Sequence, residues 1–261
     1  MSIRKFSFTT AIAIVIANMI GTGVFTSLGF QLLDIQSTFV LMMLWLIGGV
    51  TALCGALTYA ELGTRLPRSG GEYNFLTEIY HPGAGFVSGW ISATVGFAAP
   101  TALAAMTFGA YLEASLPGLS GTVTASILVI ALTMVHAYSR AASGGIQTVF
   151  TIIKVILVLV FVAMVAMSVE SPQAVHLLPS EGDGTLLLSS AFAVSLIYVN
   201  YAFTGWNAAT YIISEIEDPQ KNIPIILFVG TVAVLILYLM LNYTFLYAAP
   251  IQAMEGKLEI G

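Results

Sequence analysis

The sequence predicts an all-α protein that crosses a membrane several times. Of its 261 residues, 58% are apolar and only 8% are charged, and the mean hydropathy is +0.94. A soluble domain carries about 25% charged residues, so this composition excludes a water-soluble globule. The aromatic content of 11% excludes a disordered chain. The net charge of −5 excludes the basic surface that nucleic-acid binding requires.

The charged residues are so widely spaced that the gaps between them define seven candidate spans. A transmembrane helix needs about 20 apolar residues, and six gaps without Asp, Glu, Lys or Arg are longer than that. The seventh span contains one charge, Lys154. Continuous apolar runs such as residues 155–160 favour helices over barrel strands, which alternate in polarity. We place the spans at about residues 7–32, 37–62, 83–112, 121–139, 145–169, 187–214 and 224–250.

Basic residues are concentrated on one side of this predicted topology. The positive-inside rule therefore predicts a cytoplasmic N-terminus for a multi-pass protein of the cell inner (plasma) membrane. A cleaved signal peptide is an alternative for the first span, but its apolar run is too long and lacks a small-x-small cleavage site. A seven-helix receptor is another alternative, but its usual N-terminus lies outside the cell. The basic residues in alternate loops are Arg4, Lys5, Arg65, Arg68, Arg140 and Lys221.

Two spans are interrupted by glycine and polar residues near mid-depth. The interruptions are residues 18–25 in the first span and 200–207 in the sixth. Because the two spans cross in opposite directions, matching interruptions indicate a transporter binding site at the membrane midplane. Close helix packing through small residues is the alternative for a single Gly-x-Gly sequence, and the pairing of the interruptions favours the binding site.

The chemistry of such a site follows from the backbone. An unwound helix exposes N–H groups at the start of one half and C=O groups at the end of the other. The N–H groups near Thr22 and Gly23, together with the positive end of the following half-helix, suit a carboxylate. Carbonyls of the sixth span suit an ammonium. An amino acid carries both groups one carbon apart, so we expect an amino acid substrate.

Four separated motifs agree in order and spacing with one superfamily of transporters. They lie at residues 20–25 (IGTGVF), 59–67 with 69–73 (YAELGTRLP and SGGEY), 202–207 (AFTGWN), and 214–215 with 218–219 and 222–224. On these motifs the chain resembles the amino acid–polyamine–organocation (APC) superfamily of permeases. It is most similar to the L-type amino acid transporter branch, and the resemblance covers nearly the whole chain.

The resemblance implies a LeuT-like inverted-repeat fold, here incomplete, with about seven transmembrane helices of which helices 1 and 6 are discontinuous. Residues 1–169 would form the first five-helix repeat, residues 170–186 an extracellular loop, and residues 187–261 the start of the second repeat. We therefore expect the chain to be the N-terminal portion of a longer permease. A non-transporting structural fragment is the alternative.

The resemblance also implies the residues of the substrate site. Backbone N–H groups of Thr22 and Gly23 would bind the carboxylate. Carbonyls of Met19, Tyr201 and Thr204 would accept from the ammonium, and Tyr201 would form an aromatic lid. Thr204 stands where members often have Gly, so we expect small to medium neutral L-amino acids. The full substrate-binding set is Met19, Ile20, Gly21, Thr22, Gly23, Tyr201, Ala202, Phe203, Thr204, Gly205, Trp206 and Asn207.

Lys154 lies about ten residues into the fifth span, where a charge costs about 2.5–3.5 kcal/mol. One explanation is that its side chain extends to the cytoplasmic interface. The resemblance implies another, because several family members carry a lysine near the place where sodium-coupled relatives hold a cation. We therefore expect Lys154 to act in coupling. Transport would occur by alternating access, independent of sodium, and would be proton-coupled or an exchange (antiporter).

The sequence predicts no enzyme, metal site or cofactor, because it contains neither HExxH nor a Ser-His-Asp set in plausible register. L-type members of animal type pair with a glycoprotein through a cysteine in the loop after span three. Residues 115–121 contain no cysteine, so we expect no disulfide-linked ancillary subunit. The expected partners are the amino acid substrate and the lipid bilayer, with no nucleic acid.

Overall fold

A computed structural model of the chain describes residues 5–116, 118–138 and 140–257, and these residues form helices and loops without a β-strand. Six helical segments are long and apolar enough to cross a membrane, which confirms the predicted all-α polytopic fold. Arg4, used above for orientation, lies outside the described residues. The helices are α1 (Phe8–Met19), α2 (Gly23–Gln31), α3 (Thr38–Arg65), α4 (Glu72–Ile79), α5 (Pro82–Ile91), α6 (Ala99–Ser115), α7 (Gly121–Tyr138), α8 (Arg140–Ser168), α9 (Asp183–Leu187), α10 (Ser190–Ala202), α11 (Pro219–Ala248) and α12 (Ile251–Met254).

The first and sixth predicted spans are both discontinuous, as expected. In the first span, α1 ends at Met19, residues 20–22 are not helical, and α2 begins at Gly23. In the sixth span, α10 ends at Ala202, residues 203–207 form turns, and a 3-10 helix follows over Ala208–Glu215. The N-termini of α1 and α10 are capped in the same way. The hydroxyls of Ser7 and Ser189 each accept a hydrogen bond from a backbone N–H of the first helical turn.

The sixth and third predicted spans also differ in form from single long helices, and each difference has a local cause. The break leaves α10 with 13 residues, fewer than the roughly 20 that cross a bilayer alone. The third span contains a π-helix over Ser92–Ala98 between α5 and α6. Pro100 follows the π-helix closely. It has no N–H, so it cannot donate the usual helical hydrogen bond to the carbonyl of Gly96, four residues earlier. The wider π turn accommodates this missing hydrogen bond. The short helices α4 and α9 lie where loops were predicted.

The core lies between α3, α10 and α11. Trp45 of α3, Phe203 after α10 and Tyr238 of α11 are almost fully buried. Their ring centroids lie 4.9–6.1 Å apart, within the range of favourable aromatic pairs. Helices α7 and α8 bury a much smaller share of their residues than α3 or α11 does. The two helix breaks therefore lie beside the most densely packed part of the described chain.

Candidate functional site

A cavity of about 430 Å³ lies where the two helix breaks meet. It is bordered by the first break, the start of α6, the middle of α8 and the second break. Among the predicted residues, those that line it are Met19, Ile20, Gly21, Thr22, Gly23, Tyr201, Ala202, Thr204 and Lys154. The sequence analysis missed Asn18, Phe25, Pro100, Leu103 and Ala104. Asn18 and Phe25 belong to the predicted interruption at residues 18–25. The residues of α6 that line the cavity are not polar, so the sequence did not indicate that they border a binding site.

Four predicted residues do not line this cavity. Phe203 is fully buried in the aromatic core. The Trp206 ring packs edge-on against Tyr59, with centroids 4.9 Å apart. The Asn207 side chain donates to Glu72 of α4. Gly205 lies against the backbone of Asn18 in the first break.

Gly205 brings the second break against the first. Its φ of +107° is one that residues with a Cβ rarely adopt. A Cβ at this position would also lie 2.7 Å from the carbonyl carbon and oxygen of Asn18. Glycine is therefore required both by the backbone conformation and by the close approach of the two segments.

The start of α2 presents unpaired backbone donors to the cavity. Among the described residues, neither the N–H of Thr22 nor that of Gly23 donates to a carbonyl or side chain, and the Thr22 side chain does not cap α2. The first N–H groups of a helix carry its positive dipole end. An anionic group of a ligand can therefore bind here without a basic side chain.

The carbonyls that end α1 and α10 are joined by a residue that the sequence analysis did not identify. The Tyr238 hydroxyl lies 2.6 Å from the carbonyl oxygen of Met19 and 3.0 Å from that of Ala202. Its single proton is shared between these two acceptors. The feature of the sequence that could have identified Tyr238 is its hydroxyl in the middle of an otherwise apolar span.

The Lys154 ammonium donates to two further carbonyls of the first break. Its Nζ atom lies 2.6 Å from the carbonyl oxygen of Ile20 and 3.3 Å from that of Ala17. The side chain is half-buried and directed toward the end of α1. Its nitrogen thus lies beside carbonyl oxygens that are three residues apart on one helix end.

The three carbonyl oxygens that were predicted to bind the substrate ammonium differ in the hydrogen bonds that they already accept. The carbonyl of Tyr201 accepts from the Thr204 hydroxyl at 2.6 Å and from the Thr204 N–H at 3.1 Å. The carbonyl of Met19 accepts from Tyr238 and retains a second lone pair. Within the described ranges, the carbonyl of Thr204 accepts no hydrogen bond. Thr204 therefore offers the most accessible of the three oxygens.

Comparison with known proteins finds one family over most of the chain. Residues 6–261 match the sequence model of the family described as "Amino acid permease". The large neutral amino acids transporter small subunit 2 of Rattus norvegicus is 29% identical over 253 residues, which cover 94% of this chain and 48% of that protein. The Asc-type amino acid transporter 1 of Mus musculus is 30% identical over 253 residues, with the same shares covered.

A third relative is the b(0,+)-type amino acid transporter 1 of Mus musculus, which is 28% identical over 264 residues. The match covers 97% of this chain and 53% of that protein. The chain therefore spans about half the length of the curated relatives it matches.

Proposed function

This chain belongs to the amino acid permease family, and we propose that it forms the substrate-binding part of a transporter for small to medium neutral L-amino acids. Family and relatives are permeases and transporters rather than enzymes. The observation that carries the proposal is the cavity between the two helix breaks, which is lined by Thr22, Gly23 and Thr204. Among the described residues, the N–H groups of Thr22 and Gly23 and the carbonyl of Thr204 have no hydrogen-bond partner. These two kinds of group suit the two ends of an amino acid.

The substrate carboxylate binds the N–H groups of Thr22 and Gly23. The substrate ammonium binds the carbonyl of Thr204, together with the remaining lone pair of Met19. The predicted contact to the Tyr201 carbonyl is secondary, because that oxygen already accepts twice from Thr204. Tyr201 borders the cavity with its side chain half exposed, which suits an aromatic lid.

The character of the cavity supports a neutral substrate side chain. Of the described residues that line it, only Lys154 is charged, and its ammonium already donates to Ala17 and Ile20. A cationic substrate side chain would enter beside this ammonium without an opposite charge, which is costly at membrane depth. An acidic side chain would have to draw the ammonium away from the two carbonyls that it already binds. Thr204 occupies the unwound turn with its hydroxyl engaged, so it narrows the cavity without adding a free donor.

Transport is independent of sodium, by proton coupling or by exchange, with alternating access to the two sides. Two protein groups support this proposal, because Lys154 and Tyr238 donate to carbonyls of the breaks that a cation would otherwise bind. The Lys154 ammonium is the coupling group. The residue ranges 1–169, 170–186 and 187–261 serve as first repeat, outer loop and start of the second repeat.

The proposal also specifies the membrane and the orientation of the protein in it. The protein lies in the cell inner (plasma) membrane with its N-terminus in the cytoplasm, as the basic loops indicate. The loop at residues 115–121 has no cysteine, so the amino acid and the lipid bilayer are its partners and no disulfide-linked subunit is needed.

Uptake of radiolabelled amino acids into liposomes that contain the purified protein, expressed from its native gene, tests the proposal, because this chain spans about half the length of its relatives. We expect uptake of L-alanine and L-serine, with L-tryptophan a weaker competitor. Gly23→Ala places a Cβ 3.1 Å from the Cα of Ala202 and reduces uptake. Gly145→Ala, whose Cβ meets nothing within 4 Å, leaves uptake unchanged. Preferential uptake of tryptophan, or equal uptake by both glycine variants, contradicts the proposed site.

A further inference from the structure

A carboxylate outside the cavity joins α4 to the helix that follows the second break. Glu72 is the first residue of α4, and its side chain is half-buried. One carboxylate oxygen accepts from the Asn207 side chain and the other from the Tyr211 hydroxyl. Tyr59 of α3 lies close enough to interact electrostatically with the same carboxylate. We call these four residues, Tyr59, Glu72, Asn207 and Tyr211, the Glu72 cluster.

The loop before α4 makes further contacts with the same 3-10 helix. The Ser69 N–H donates to the Ser214 hydroxyl at 3.1 Å, and the Ser214 N–H donates to the Ser69 hydroxyl at 3.0 Å. The Gly71 N–H donates to the carbonyl of Thr210 at 3.2 Å. Residues 69–72 thus follow the length of the 3-10 helix with hydrogen bonds at each turn.

Glu72 is the centre of this contact because it is the acceptor for two side-chain donors, Asn207 and Tyr211. A carboxylate is an acceptor-only group, and hydrogen bonds to an ionised acceptor are about twice as strong as neutral ones. Among the described residues Glu72 has no ion-pair partner. Its charge is balanced by these two neutral donors and by the N-terminus of α4. Removing the carboxylate therefore leaves two half-buried donors without this acceptor.

We infer that Glu72 is a positioning residue that holds the 3-10 helix Ala208–Glu215 against α4, and that this contact must be released for the helix to move during transport. Asn207 of the cluster follows Thr204, which lines the cavity, by three residues along the chain. Trp206 also packs on Tyr59 of the same cluster. The role in transport rests on the proposed function, whereas the positioning of the 3-10 helix does not.

Cysteine labelling tests the positioning without any transport assay. Ala209 in the 3-10 helix is fully buried, so an Ala209→Cys reporter in a Cys54→Ser background reacts slowly with a water-soluble maleimide. Adding Glu72→Gln keeps the shape of the side chain but replaces one acceptor oxygen by a donor. We expect labelling of the full chain to accelerate about tenfold, because opening of a local segment follows the loss of its hydrogen bonds.

A matched variant on the same helix provides the control. Glu78→Gln removes an exposed carboxylate whose partner is Arg68, 3.3 Å away, and leaves the labelling rate unchanged. A second reporter, Ala11→Cys, lies in the fully buried part of α1 and detects general unfolding. Equal labelling in the Glu72→Gln and Glu78→Gln variants overturns the inference. An equal acceleration at both reporters also overturns it.

A double variant that exchanges the acceptor at residue 72 with the donor at residue 207 tests whether the hydrogen bond itself is needed. Asn207→Asp, added to Glu72→Gln, lets the new amide donate to the new carboxylate. We expect the labelling rate to return most of the way to that of the parent protein. Failure of this rescue contradicts the donor–acceptor basis of the inference. Because labelling is read without substrate, absent uptake would contradict the proposed function while the positioning of the 3-10 helix stands or fails separately.

Discussion

The hydroxyl of Tyr238 donates to the carbonyl oxygen of Met19, 2.6 Å away, at the point where α1 ends. The same hydroxyl lies 3.0 Å from the last carbonyl of α10. A single side chain of α11 therefore satisfies backbone oxygens at both helix breaks. In a membrane interior, where no water replaces a missing donor, this contact stabilises two interruptions that would otherwise be costly.

Tyr238→Phe removes the hydroxyl and keeps the aromatic packing. The two carbonyls then lose a buried donor, which costs about 1–3 kcal/mol. We expect a lower thermal midpoint in detergent and at least severalfold weaker L-alanine uptake. Tyr243→Phe on the same helix serves as the control, since Tyr243 is partly exposed and stacks only on Tyr247. An unchanged midpoint for Tyr238→Phe would show that the hydroxyl does not support the breaks.

Gly205→Ala tests the close approach of the two breaks. The φ of +107° alone costs a residue with a Cβ about 1–3 kcal/mol, and the contact with the Asn18 backbone adds to it. We expect a marked loss of thermal stability and of uptake. Gly145→Ala in α8, where the Cβ has free space, is the matched control. If Gly205→Ala and Gly145→Ala both have the thermal midpoint of the parent protein, the two helix breaks do not make this close contact.

The free N–H groups of Thr22 and Gly23 predict that the substrate carboxylate is essential. Competition with labelled L-alanine measures this directly. Unlabelled L-alanine competes, whereas L-alaninamide, which retains the ammonium and the methyl group, does not. Amide substitution removes the negative charge that the start of α2 favours. Equal competition by the two compounds places the carboxylate elsewhere.

The loop between α8 and α10 predicts a pH dependence of stability. Hydrogen bonds from the Ser180 N–H and from the Ser37 and Ser180 hydroxyls hold the pKa of Asp183 below its usual range. A carboxyl whose pKa is lowered on folding stabilises the protein above the unfolded pKa, about 3.9, and loses this effect as pH falls through the lower folded pKa.

Asp183→Asn should therefore lower the thermal midpoint at pH 7, and the difference from the parent protein should shrink as the pH falls below about 4. Thermal melts across this range measure the effect. Glu181→Gln, two residues away with an exposed side chain, should show no such difference. A constant difference at every pH would mean that the charge of Asp183 is not the stabilising feature.

The sequence predicted the helix breaks because their residues depart from the apolar pattern in ways that composition makes visible. Glycines and polar residues in the middle of a span have few explanations, so residues 18–25 and 200–207 were identified correctly as discontinuities. Lys154 was identified for the same reason, since a charge in a span is rare. Its contact with Ile20 depends on how α8 packs on α1, which no spacing in the chain specifies.

The residues that the sequence did not identify act through packing between distant segments. Tyr238 reaches the breaks from α11, and a tyrosine in an apolar span gives no sign of its partner. Pro100 and Leu103 line the cavity with apolar surface that resembles any other membrane helix. Glu72 belongs to a recognised motif, but its role depends on the 3-10 helix that follows the second break, and the motif does not indicate that contact.

We propose that protein groups at the helix breaks take the place of a bound sodium ion, with Lys154 donating to the carbonyls of Ala17 and Ile20. The most direct measurement is L-alanine uptake into liposomes that contain the purified protein, with external sodium replaced by choline. We expect the same initial rate in both solutions, and a large loss of uptake in both when Lys154→Met removes the ammonium. Uptake that disappears in choline would show that these groups do not replace sodium.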